Sequence, residues 1–232
     1  MRVHVFDDPE TLAETAAGRI AEWIRGADPL VSLGLAGGST PGATYERLRS
    51  ADIAWDQVNA WLSDERWVPP GHPESNARMA REKLFDHVSA RFHGVPWELG
   101  DPQEAATEYE RRLAELSVTS DPGLVLLGVG ADGHTASLFP ATAALAERRR
   151  SFVANWVPQH QAWRLTATLP LLWSARRLVF LATGRGKAAA IRDILEGDAT
   201  NPAATAARGA GEAAWFLDGE AASLLERTVT DG

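Results

Sequence analysis

Four short runs combine glycine with ionisable or hydroxyl side chains, and each follows an apolar stretch. The first is Gly37-Gly38-Ser39-Thr40-Pro41-Gly42. Glycines let a backbone approach an anion closely, and a following helix start offers free N–H groups and a positive dipole end. Ser39 and Thr40 add hydroxyl donors, and Pro41 suits the first helical position, where no N–H is needed. The run matches neither a Walker P-loop nor GxGxxG, so it points to a phosphate or carboxylate rather than a nucleotide. A plain strand–helix turn capped by serine or threonine reads the same way. Gly37-x-Ser39-x-Pro41 also falls one residue short of a nucleophile elbow, with proline where the elbow needs a small residue.

The second run is Ser63-Asp64-Glu65-Arg66. Carboxylates accept from the hydroxyls of a polyol, while Arg66 presents a planar fork to an anion or oxyanion. Solvated acids at the end of a strand would look the same. The third, Gly128-Val129-Gly130-Ala131-Asp132-Gly133-His134, delivers a histidine after the most apolar run in the chain. A neutral imidazole takes a proton from water and returns it to a leaving oxygen near neutral pH. Asp132, two residues away, either fixes the ring's tautomer or caps the turn. The fourth, Gly184-Arg185-Gly186-Lys187, places two cations at a strand end, and Arg164 precedes it on another predicted strand. Such cations suit a phosphate, or form a solvated basic turn. The other histidines, at positions 4, 72, 87, 93 and 160, lack metal-ligand spacing and read as surface or packing residues.

These runs need elements to position them. Apolar stretches at 2–6, 30–36, 58–63, 124–129, 151–157, 164–168, 177–183 and 213–217 read as strands. Stretches at 9–25, 42–48, 102–116 and 188–195 read as helices, and 221–225 as the start of a last helix. Ser75 or Asn76 caps a further helix that carries Met79, Leu84 and Phe85. Strands alternating with helices imply an α/β fold with a largely parallel sheet. Parallel strands send their following loops to one edge, where ligands of open α/β folds bind. The loops 37–42, 64–66, 130–135 and 184–187 are therefore expected to converge.

Composition narrows the classes. The chain has 232 residues, enough for a single α/β domain over 1–232. A formal net charge of −8 argues against nucleic acid or an anionic membrane as partner, since both need a basic surface. The absence of cysteine removes disulfides, thiolate catalysis and cysteine-ligated metals. Residues 1–10 hold no apolar signal core, and no stretch approaches the roughly 20 apolar residues of a membrane span, so a cytosolic location is expected.

Taken together, LAGGSTPGATYERL, WLSDERWVPPGHPESNARMA, LVLLGVGADGHTASLFP, RLTATL and FLATGRGKAAAI resemble the 6-phosphogluconolactonase family in order and spacing. The DGHTASLFP run is the most specific, while GGSTP and the GxxK turn are shared with the related glucosamine-6-phosphate deaminases. The resemblance implies a Rossmann-like, twisted, mainly parallel sheet between helices, with a small lid-like subdomain. It implies hydrolysis of 6-phospho-D-glucono-1,5-lactone in the oxidative pentose phosphate pathway. That chemistry needs no metal or other cofactor, because a lactone is an activated ester, and a monomer or weak homo-oligomer is expected. His134 then matches the catalytic histidine, with Asp132 beside it. Asp64 and Arg66 match the pocket's Asp-Glu-Arg run. Gly37, Gly38, Ser39 and Thr40 match the phosphate loop, and Arg164, Lys187 and more weakly Arg185 match basic residues near the phosphate. The oxyanion falls to backbone N–H groups or to Arg66. The segment 158–163 lacks the Pro and Lys richness of the family, and 201–211 is unusually rich in alanine.

Two rivals share the scaffold. A deaminase-isomerase needs a carboxylate to move a proton between C1 and C2. The related deaminases follow their Asp-Gly-His with a run resembling Ile-Ala-Phe-Asn-Glu-Pro, whose glutamate aids ring opening. Here Thr135-Ala136-Ser137-Leu138-Phe139-Pro140 carries no carboxylate, which leaves only Asp64 for that work. A non-catalytic sugar-phosphate sensor would keep the phosphate loop but would not need His134.

Overall fold

The computed structural model describes residues 1–27, 31–197 and 200–226. Strand β1 (Arg2–Phe6) leads into helix α1 (Pro9–Arg25), whose first turn is closed by Asp8 accepting from Thr11 N–H at 2.8 Å. Strand β2 (Val31–Leu35) runs into α2 (Ser39–Leu48), and β3 (Val58–Leu62) runs almost directly into β4 (Asp64–Arg66). Leu30, the expected first residue of β2, lies outside the described residues. Helix α3 (Asn76–Ala80) continues as a π-helical turn through Phe85, and is followed by β5 (Arg91–His93), α4 (Pro102–Glu115) and β6 (Leu124–Gly128). The hairpin of β7 (Phe152–Val157) and β8 (Ala162–Ala167) precedes α5 (Leu169–Trp173), β9 (Arg177–Ala182) and α6 (Ala188–Leu195). Helix α7 (Pro202–Gly209) and β10 (Ala213–Asp218) complete the order.

Seven strands form one twisted sheet in the order β1-β10-β9-β6-β2-β3-β5, with every pairing parallel. From β2 the chain moves outward through β3 to β5, then returns on the other side of β2 through β6 and β9. The direction of winding therefore reverses between β2 and β6, which is where such sheets open a crevice beyond their carboxyl ends. Strands buried on both faces read as continuous apolar runs; β3 is buried throughout, and large side chains such as Trp61, Phe180 and Trp215 are fully covered. One hydrophobic cluster packs α4, α5, α6 and α7 on the sheet, and a second packs α1, α2 and α3.

Three expectations change. The run 64–66 is a strand rather than a loop, and belongs with β7 and β8 to a separate antiparallel sheet ordered β4-β8-β7. This small sheet stands beyond the carboxyl end of β3, tied there by Ser63 N–H to the Leu35 carbonyl and by Ala167 N–H to the Ser63 carbonyl. Second, α2 begins at Ser39 with Gly38 as its N-cap and no side-chain cap, so Pro41 sits third in the helix. Third, residues 221–224 form turns rather than a helix, because Asp218 accepts from Ala221 N–H and closes the chain immediately after β10. Helix α7 was not expected within the alanine-rich 201–211. It starts as α1 and α4 do, with a capping Asx followed by proline: Asn201 accepts from Ala204 N–H at 2.9 Å.

Candidate active site

Between the crevice of the main sheet and the small sheet lies a cavity of about 420 Å³. Its walls bring together Gly37 and Gly38 after β2, Asp64 and Arg66 on β4, His134 after β6, Arg164 on β8, and Lys187 after β9. The four runs of the sequence thus meet, although one reaches the cavity from the second sheet.

His134 is set by a tight turn. Gly130 N–H donates to the His134 carbonyl at 2.8 Å, and Gly133 N–H to the Gly130 carbonyl at 3.0 Å. The imidazole folds back over Gly130 so closely that a Cβ there would stand 2.0 Å from Nδ1. Nδ1 lies 2.6 Å from Asp132 Oδ1, which also accepts from His134 N–H at 3.1 Å. Burial works against ionisation of Asp132, yet the hydrogen bonds and charge of His134 hold its carboxyl below the ordinary value. An ionised carboxylate only accepts, so Nδ1 carries a proton, and in the neutral ring Nε2 keeps the lone pair. Phe139 stacks on the imidazole with ring centroids 4.1 Å apart, fixing its plane.

Arg66 and Arg164 are register partners across β4 and β8, so both guanidinium side chains leave the same face of the small sheet. Arg66 donates to the Glu74 carbonyl at 2.7 Å. Burial and the neighbouring Arg66 charge together push the Arg164 guanidinium below its ordinary value, against the pull of Asp64, Glu74 and Glu65. With Lys187, the cavity gathers three cationic residues beside the acids Asp64 and Glu74, in a chain that is acidic overall. Such a cluster suits an anionic group of a small molecule.

The remaining predicted residues lie close by but do not line this cavity. Ser39 faces an adjoining hollow of about 430 Å³, which shares Gly38, Arg66, Glu74 and Asn76 with the first. Thr40 turns away to exchange a hydroxyl hydrogen bond with Thr183 at 2.8 Å, clasping the loops after β2 and β9. Arg185 points out, with its backbone N–H 3.4 Å from Glu220. Asp132 is absent from the lining and meets the cavity only at second hand, through its hydrogen bonds to His134.

Other residues of the site were not singled out in the sequence. Asn76 was one of two candidate helix caps; the structure gives that role to Ser75, which accepts from Arg78 N–H, and turns the Asn76 amide into the cavity. Ser137 donates to Asp64 Oδ2 at 2.7 Å. His160, whose sequence context points to surface or packing, lines the cavity, edge-on to Phe139 at 5.2 Å. No local signal marks it, because it sits at the tip of the β7–β8 hairpin and reaches the site only through that hairpin's docking.

A hollow of about 440 Å³ lies at the opposite edge of the main sheet, bordered by Trp23, Ser32, Asn59 and Leu124. Its carboxylates Asp121 and Glu212 are held by Arg176 and Arg177. It is lined by the connections that precede β2, β6, β9 and β10 and holds none of the glycine-rich runs of the other edge.

A family model described as glucosamine-6-phosphate isomerases/6-phosphogluconolactonase matches residues 7–215. The chain belongs to this family. Among curated proteins it is 39% identical over 205 residues to a 6-phosphogluconolactonase of Synechocystis sp., covering 84% of each chain. It is 37% identical over 228 residues to a 6-phosphogluconolactonase of Homo sapiens, covering 92% of this chain and 88% of the human one. The fold matches a solved 6-phosphogluconolactonase from Trypanosoma cruzi with a TM-score of 0.88 at 28% identity, over 97% of each chain. A solved monomeric glucosamine-6-phosphate deaminase also matches, with a TM-score of 0.83 at 26% identity, over 97% of this chain and all of that one. Both branches of the family thus share the scaffold. Among the described residues, no helix is long and apolar enough to cross a membrane.

Proposed function

We propose that the chain hydrolyses 6-phospho-D-glucono-1,5-lactone to 6-phospho-D-gluconate, the lactonase step of the oxidative pentose phosphate pathway. The observation that carries this reading is the His134–Asp132 pair, with Nε2 free to accept a proton, on the wall of a cavity that also presents Arg66, Arg164 and Lys187. Water gives a proton to Nε2 and attacks C1 of the lactone. The tetrahedral oxyanion then collapses, the C1–ring-oxygen bond breaks, and the imidazolium returns its proton to the departing ring oxygen. Asp132 stabilises the imidazolium in between. A lactone is an activated ester, so acid–base catalysis suffices without a cofactor. Asp64 accepts from substrate hydroxyls, and Arg164 and Lys187 take the phosphate, whose binding energy positions C1. The enzyme acts in the cytoplasm as a monomer or weak homo-oligomer.

Lys187→Ala weakens binding of the phosphorylated lactone by about 10- to 100-fold, since a hydrogen bond to a charged group is worth roughly 1.5–3 kcal/mol. Hydrolysis of the unphosphorylated lactone hardly changes. Parallel kinetics on both substrates check this, and an equal loss on both would give the lysine another role.

The whole reading is tested by offering the purified protein 6-phosphogluconolactone and glucosamine-6-phosphate side by side, with chelator present. Hydrolysis of the lactone above its spontaneous rate is expected, with no ammonia from the amino sugar. Ammonia release without faster lactone hydrolysis would overturn the reading.

A further inference from the structure

Asp64 stands on the cavity wall but is almost fully buried, with 7% of its surface exposed. A carboxylate so placed needs its lone pairs satisfied, and its direction is set by whatever donates to it. Two side chains do so. Ser137 approaches Oδ2 from the loop after β6, and Asn76 approaches Oδ1 from the start of α3. The Asn76 amide donates to the Asp64 carbonyl at 2.9 Å and to Oδ1 at 3.3 Å, so one NH2 group spans the backbone and side chain of the same residue.

Asn76 is itself fixed from behind. The Glu65 carboxylate, 2% exposed, accepts from Asn76 N–H at 2.7 Å, Ala77 N–H at 2.8 Å, Ser75 Oγ at 3.0 Å and Arg66 N–H at 2.8 Å. On its front side the amide lies against Gly37 of the loop after β2, where a Cβ would stand 1.9 Å from Asn76 Oδ1. Only glycine at 37 leaves room for it. The amide is thus wedged between β4 and the loop after β2, with its NH2 aimed at Asp64.

We infer that Asn76 is a positioning residue of the active site, which aims the Asp64 carboxylate at the substrate's hydroxyl groups and is locked in place by Glu65 and Gly37. This rests on the proposed lactonase reading, in which Asp64 touches the substrate. Asn76 touches Asp64 and acts through it.

Asn76→Asp is the informative change, since it keeps the shape and replaces the NH2 donor by an oxygen. Two carboxyl groups at this distance repel when both are ionised, so the pair releases its protons in two steps, the second raised. When the new carboxyl is protonated it can donate to Asp64 again. The groups around the pair are Glu65 and Arg66 on β4, Arg164 on β8, Glu74 before α3 and Tyr45 on α2, with His134 and Lys187 across the cavity. All of these are present in both forms, so the ratio of variant to wild-type kcat/KM isolates the new pair. That ratio is expected near one tenth or lower at neutral pH and to rise as the pH falls. Asn76→Ala should lower kcat by about tenfold with little change in KM, and its ratio should be flat with pH.

An active wild type with a pH-independent Asn76→Asp ratio would overturn the inference alone, as would an Asn76→Ala variant with wild-type kcat. If Asn76→Asp does not fold, the kcat–KM split of Asn76→Ala decides. A wild type that does not hydrolyse the lactone would overturn the proposed function, and this inference with it.

Discussion

His134→Ala folds as the parent chain does and loses at least about a hundredfold in turnover of the phosphorylated lactone. A positioned acid–base group contributes roughly 10²–10⁴-fold. The imidazole is partly exposed and contributes two ring interactions, one to Asp132 and one to Phe139, so its removal opens no sealed core. Circular dichroism and a melting curve should match the wild type. KM should change little, because the phosphate is held elsewhere. The check is a lactone assay corrected for spontaneous hydrolysis; a variant with near-normal turnover would remove His134 from its role. Asp132→Asn should follow in the same direction with a smaller loss, since an amide can present its NH2 to Nδ1 and favour the wrong tautomer.

Glu65→Ala destabilises the folded chain by about 3 kcal/mol or more. Three backbone N–H groups and one hydroxyl converge on this carboxylate, two donors on each oxygen. Each buried donor left without an acceptor costs about 1–3 kcal/mol, and water entering the space offsets part of that. For a chain of this size the melting temperature falls by about 6–12 °C. Burial raises the Glu65 carboxyl above its ordinary value while these hydrogen bonds pull it down, so the site tolerates the charge only through its donors. Glu65→Gln offers a sharper check. Each oxygen already receives a backbone N–H, so either orientation of the amide turns an NH2 against a donor. A Glu65→Gln melting curve matching the wild type would show that the convergence carries no such weight.

The elements of the main sheet were largely legible because their signals are local. Strands such as β3 and β6 are continuous apolar runs, and α1 and α4 open with Asp-Pro at the cap and first turn. Helix α7 carries the same signal in Asn201-Pro202, obscured by an alanine-rich stretch with little polar contrast. The three-residue strands β4 and β5 are too short for any period to register, and their pairing with β8 and β3 decides that they are strands. The turns at 221–224 carry apolar residues at helical spacing, but Asp218 bonds to them first.

The amino-acid sequence by itself determined that the candidate catalytic histidine follows an apolar strand amid glycines, that the phosphate-suited loops end parallel strands, and that they open at one edge. Spacing and chain direction suffice for those statements, because parallel strands share an edge whatever their order. The tertiary structure alone decided which residues face one another there. Ser137 meets Asp64 across 73 positions, and Thr40 meets Thr183 across 143. Glu65 reads in the sequence as a polyol acceptor or a solvated acid, and Asn76 as one of two candidate helix caps. Their roles depend on a second sheet folding back over the first, which buries one carboxylate among backbone donors and wedges one amide against a glycine. No local pattern encodes that burial, since it is made by segments that are distant along the chain.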